Sequence, residues 1–122
     1  MTSVIHVGQG QRLALRGRTA TELASAAEGG YQVTVRRVVI PPGDGQAARR
    51  PHQHQGCEEV IAILEGQGEL VTVAGAEPVG PGDVAVISPG DPHFTRNVGP
   101  GDLVSLCFFA VPDLASVTRE TT

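Results

Sequence analysis

Tryptophan is absent from these 122 residues, tyrosine occurs once and phenylalanine three times. That limits how aromatic any interior pocket can be. Cysteine is scarce too: Cys57 and Cys107 are too few for a disulfide framework. The N-terminus lacks a basic start followed by an apolar stretch, so no secretory signal is expected, and both thiols are expected reduced in a cytoplasmic protein. Basic patches are missing as well. Arg36-Arg37 and Arg49-Arg50 are isolated pairs in a chain of formal net charge -4, which argues against nucleic acid or an anionic membrane as partner. No apolar run approaches the roughly 18 residues of a spanning helix. The length suits one domain, residues 1–122, with a single core.

What is plentiful is glycine and proline, 16 and 9 residues, falling between short runs of valine, isoleucine and leucine. That rhythm is the mark of an all-β sandwich or barrel. The expected strands are 4–7, 13–15, 31–40, 60–64, 69–73, 76–79, 84–87, 93–97 and 103–111. The stretch TATELASAAEGG, residues 19–30, reads as a helix of two turns, capped by Thr21 and ended by Gly29-Gly30. Residues 118–122 read as a frayed polar tail.

Histidine is rationed, with four in the chain, and two of them are one residue apart in PHQHQGCEEV, residues 51–60. Side chains alternate along a strand, so His52 and His54 point to one side and can reach one ion. Gly56 allows a break after them, and a new strand then aims either Glu58 or Glu59 back at the imidazoles. His93 follows a tight Pro/Gly turn and opens another strand. Three imidazoles and one carboxylate suit a single divalent transition metal: iron, manganese, nickel, zinc or copper. Taken singly, such histidines cap turns or sit at the surface; it is their convergence that singles them out.

These residues resemble the cupin family. Its first motif runs G-x5-H-x-H-x3,4-E-x6-G, matched here by His52, His54, Glu59 and Gly66, with Gly45 one place early because Gln46 holds the expected position. Its second, G-x5-P-x-G-x2-H-x3-N, is matched by Gly82, Gly90, His93 and Asn97, with Ser88 at the proline position and Pro89 shifted by one. The resemblance covers about residues 45–66 and 82–97 and implies a single-domain cupin, a double-stranded β-helix or jelly-roll-like antiparallel barrel. It implies His52, His54, Glu59 and His93 as metal ligands, the spacing to Gly66 selecting Glu59 over Glu58. With Glu59 inward, Ile61 and Ile63 line the barrel while Val60, Ala62 and Leu64 face outward. That outer face is apolar and needs cover, and the resemblance implies a homodimer.

Further pocket residues are expected from strand parity. Tyr31, Val33 and Val35 share one face, Thr95 and Asn97 share the face of His93, and Arg50 at the barrel mouth could clamp a substrate carboxylate. Phe94, Phe108 and Phe109 read as plain core. With no spare histidine for the interior except His6, a base would have to be Glu59 itself, Tyr31 or a metal-bound hydroxide. The resemblance thus implies an enzyme with a small-molecule substrate, dioxygenase-like or an isomerase or lyase of Lewis-acid type. A non-catalytic binding or sensor barrel is the alternative.

Overall fold

The computed structural model describes residues 2–43, 52–54, 56–114 and 118–120, with backbone alone for His52, Gln53, Arg119 and Glu120. Its strands are β1 (Gln11–Leu15), β2 (Arg18–Ala24), β3 (Thr34–Ile40), β4 (His52–His54), β5 (Glu59–Glu65), β6 (Gly68–Thr72), β7 (Gly75–Val79), β8 (Val84–Ile87), β9 (His93–Asn97), β10 (Leu103–Phe109) and β11 (Thr118–Glu120). A six-stranded sheet has the order β1-β2-β3-β10-β5-β8, and a five-stranded sheet the order β11-β4-β9-β6-β7. Every strand pairing is antiparallel. The all-β expectation therefore holds.

The core lies against the inner face of the six-stranded sheet. Ile40, Ile61, Ile63, Ile87, Leu103, Cys107 and Phe109 are buried there, and Leu70 and Val79 pack against them from the opposite sheet. Each fully buried aliphatic side chain of this kind contributes about 1.5–3 kcal/mol. Asn97 ties the sheets together. Its side-chain amide donates to the carbonyls of Ile40 and Gly101, at 2.9 and 2.8 Å, and its oxygen accepts from the Gly99 N–H.

Three expectations about local structure are corrected. Residues 19–30 are not a helix: β2 runs through Ala24, and the only helix among the described residues is a 3-10 turn, Val7–Gln9. Alanine, glutamate and leucine favour a helix, but β2 is paired on both sides, by β1 and β3, and this pairing overrides propensity. Thr118–Glu120 is no frayed tail but strand β11, laid against β4. Residues 4–7 form no strand. Among the described residues no helix is long and apolar enough to cross a membrane.

Parity in β5 follows the inward Glu59. Glu59, Ile61 and Ile63 are buried, Val60 and Ala62 are half-buried, and Leu64 is exposed. On the outer face, Val86, Val60, Phe108 and Val35 stand side by side across β8, β5, β10 and β3. Val86 is 60% and Phe108 40% exposed, so this apolar stripe is open.

Candidate metal site and cavity

Three strand ends meet inside the barrel. β4 finishes at His54, β5 starts at Glu59 and β9 starts at His93. Gly56, at φ +75°, gives the chain the left-handed turn that sends it from β4 of one sheet into β5 of the other. All three side chains are buried. His93 Nε2 lies 2.7 Å and His54 Nε2 3.2 Å from the same oxygen, Glu59 Oε1. One ligand atom from each residue lies within 4.8 Å of the others, a grouping that could hold a metal ion.

The far side of each imidazole sets its tautomer. His93 Nδ1 faces the Asp91 carbonyl at 2.8 Å, which can only accept, so Nδ1 carries a proton. The Thr118 hydroxyl donates to the Leu114 carbonyl at 2.7 Å, leaving its oxygen to accept from His54 Nδ1–H at 2.9 Å. In the neutral form both rings therefore turn an Nε2 lone pair toward Glu59, the orientation a metal ligand needs. Burial pushes the Glu59 carboxyl up, but with the rings protonated at Nε2 as well, hydrogen bonds from His54 and His93 and their charge outweigh it and bring it down to about 2. Burial pushes His93 down, while its hydrogen bond to Glu59 and that residue's charge raise it on balance. Two imidazole nitrogens and an anionic oxygen form the 2-His-1-carboxylate donor set of iron(II) sites, so these residues fit a divalent transition metal.

Thr118 would thus act through His54 on an ion held by this group. Thr118→Val keeps the shape but removes the acceptor, and metal affinity is expected to fall about 10–100-fold. Titration with a competing chelator measures this, and an unchanged affinity would remove Thr118 from the site.

The donor set opens into a small cavity of about 80 Å³. Thr95 and Ile61 line it, as strand parity leads one to expect. Phe109, read from sequence as plain core, stands edge-on to His54 with ring centroids 4.9 Å apart and forms part of the wall. Ile63 and Asn97 are buried but do not line the cavity; Asn97 spends its side chain on the turn after β9. From β3 the wall is made by Arg36, Val38 and Ile40, not by Val33 and Val35. The run VTVRRVVI is apolar at both parities, so alternation could not tell its faces apart. Tyr31 also stands outside the wall: its backbone N–H bonds the Ser25 carbonyl and its ring covers Gly29. Arg50 lies outside the described residues. His52 is placed by its backbone only, paired in register with His93.

Among the wall residues that escaped sequence reasoning are five that carry a heteroatom in the side chain: Arg18, Arg36, Ser105, Cys107 and Thr118. Arg36 did leave a signal, as a charge in the middle of an apolar strand. Cys107 is buried, which raises its thiol pKa, and the nearby Glu59 raises it further, so it is an inert wall group. Cys57 is raised by the same two causes in the same order.

Fold and site together define a small β-barrel protein with an interior donor set able to hold a metal ion. The chain belongs to the cupin domain family, whose model matches residues 36–109 and so spans the motif positions His52, His54, Glu59 and His93. Germin-like protein subfamily T member 3 of Arabidopsis thaliana is 36% identical over 72 residues, covering 55% of this chain and 30% of that relative. The chain thus spans less than a third of the length of that curated relative. Among solved structures it is similar to the polyketide cyclase RemF from Streptomyces resistomycificus, with TM-score 0.76, 25% identity, and coverage of 100% of this chain and 87% of that one. It is also similar to the Streptomyces nucleoside dehydratase Pac13, with TM-score 0.77, 17% identity, and coverage of 99% and 92%. An oxalate decarboxylase from Lactobacillus farciminis matches with TM-score 0.77 and 19% identity over 94% of this chain and 34% of its own. At these identities the last two likenesses bear on the fold alone.

Proposed function

We propose that this chain is a metal-dependent cupin enzyme that transforms a small organic molecule in the barrel cavity. The observation that carries the reading is the convergence of two imidazole Nε2 atoms on the Glu59 carboxylate at the wall of an open cavity. His54, Glu59 and His93 hold one divalent transition metal per chain, and His52, beside them on β4, is the fourth ligand. Such an ion supplies Lewis acidity or a position for oxygen when bound. The protein's part is to exclude water with Ile61, Phe109 and Val38, to orient the substrate, and to hold Glu59 ionised. Glu59 is the one carboxylate on the wall, and no tyrosine or further histidine joins it among the described residues, so the chemistry belongs to the ion rather than to a separate base. The matched relatives include enzymes that act on small molecules: a nucleoside dehydratase, a decarboxylase of oxalate and a polyketide cyclase.

The test is turnover across a broad panel of small organic molecules with oxygen consumption followed, in metal-loaded and metal-stripped protein. Turnover lost on stripping supports the enzyme. Ligand binding without turnover in either form would favour a non-catalytic binding barrel.

The free, buried thiols fit a reducing compartment, and the protein is assigned to the cytoplasm on that ground. The stripe of Val86, Val60, Phe108 and Val35 is assigned to a homodimer interface, since an open apolar sheet face calls for cover. Light scattering at micromolar concentration is expected to give the mass of a dimer; a monomer would remove that assignment.

A further inference from the structure

On the same sheet as Glu59, two strands away along the cavity wall, stands a second polar centre. Arg36 of β3 points into the barrel beside Val38 and Ile40, and Arg18 of β2 joins the same wall. Glu22 is paired in register with Arg36 on the neighbouring strand and is buried at 9% exposure. Its Oε1 accepts from Arg36 Nε at 3.0 Å and from Nη2 at 2.9 Å. Its Oε2 accepts from the Ser25 hydroxyl at 2.8 Å, and Ser25 Oγ in turn accepts from the Glu28 N–H at 3.0 Å. The guanidinium is therefore held along its Nε/Nη2 edge by a carboxylate that is itself fixed. A side chain that would otherwise sample many rotamers is locked with its charge inside the barrel.

An arginine fork has two edges that match a carboxylate. Glu22 occupies one; on the end-on edge Nη2 is shared with Glu22, while Nη1 makes no hydrogen bond or ion pair with a described residue. In register, Arg36 faces Cys107 of β10, and Cys107 faces Ile61 of β5; Glu59 lies one same-face step further along β5. The wall between the two polar centres is thus the inert thiol and aliphatic carbon. A molecule fitting this cavity has an anionic end at Arg36, a short apolar middle and a reacting end at the His54–Glu59–His93 group.

We propose that Arg36, positioned by Glu22 and Ser25, is a carboxylate-binding residue, and that the ligands of this cavity are small organic acids. The inference rests on the reading of the cavity as a ligand site, but not on the identity or presence of the ion. It also moves the anion clamp from Arg50, outside the described residues, to a residue inside the barrel wall.

The experiment is calorimetric titration of the full chain with a panel of short aliphatic and aromatic carboxylic acids and their matched primary amides, with metal content measured on each sample. At least one acid is expected to bind wild type about tenfold or more tightly than its amide, because the amide cannot complete the charged pair. In Arg36→Gln the preference is expected to shrink to within about threefold, with metal content unchanged. Arg36→Gln leaves Glu22 buried without its cation, so the double variant Glu22→Gln/Arg36→Gln is run beside it, where neither charge remains. Wild type binding acids no better than amides, or a preference that survives in the double variant, would overturn the proposal. Protein that stays metal-free even after reconstitution, yet still prefers acids through Arg36, would uphold the clamp while sinking the metal reading. Loaded protein with no preference would do the reverse.

Discussion

Glu59→Gln is expected to lower metal affinity by more than about 100-fold, beyond the 10–100-fold typical of losing an outer partner of a ligand. The substitution keeps the volume of the side chain, so packing against Ile87 and Phe109, its cross-strand neighbours, is preserved. What goes is the anion. Both imidazole Nε2 atoms are aimed at Glu59 Oε1, and that residue alone brings negative charge to the described ligand group. A divalent ion transferred into a buried wall needs its charge offset, and an amide oxygen offers only a dipole. Equilibrium competition against a chelator gives the ratio of affinities. Circular dichroism on the same samples checks that the fold is retained. An affinity within a few-fold of wild type would mean that the carboxylate is a hydrogen-bond acceptor for two histidines and nothing more.

Gly66→Ala is expected to destabilise the fold by about 2–4 kcal/mol, from left-handed backbone strain and a steric clash acting together. Gly66 ends the β5 turn at φ +91°. A Cβ there would overlap the backbone carbonyl of Asp102 and approach the Leu103 Cα to 2.9 Å. Neither atom is the end of a flexible side chain. Leu103 is 0% exposed, so its backbone cannot retreat without disturbing the core. Urea unfolding would read the loss as a lowered midpoint at unchanged slope. By contrast, Gly101→Ala, a neighbouring turn position where an added Cβ meets nothing within 4 Å, serves as the control. Equal midpoints for Gly66→Ala and wild type would contradict the steric account.

The reach of the sequence varied from strand to strand for physical reasons. β5 was legible in both place and parity because a charged residue at its head, Glu59, had one sensible direction. Every second residue after it then followed. β3 was legible in place only. Its valines and isoleucine occupy both faces, since the inner face lines the cavity and the outer face joins the apolar stripe, so no alternation marks the parity. That ambiguity hid Arg36 and gave Val33 and Val35 a place on the wall they do not have. β2 was misread because its alanines and glutamate prefer helix locally, whereas its partners β1 and β3 are known only from the fold. β11 was missed for a related reason. Its polar side chains carry no hydrophobic pattern, and its partner β4 lies 64 residues away at the Thr118–His54 pair. Thr118, and with it the tautomer of His54, could not be seen without that pairing.

His54, Glu59 and His93 were identifiable because residue type and spacing both mattered there. Rare histidines recurred at strand period, and a glycine break let a carboxylate return to them. Tyr31 had no such support. It was the chain's single tyrosine, and its place against Gly29 serves the turn after β2 instead.

The central claim is that this donor set holds an ion, and metal content tests it most directly. Untagged wild-type protein and His54→Ala are to be measured side by side by mass spectrometry, before and after reconstitution. The expected result is about one divalent transition metal per chain in wild type and little in the variant, since loss of a ligand releases the ion. Little metal in both, even after reconstitution, would contradict the claim and leave the histidines as structural partners of Glu59.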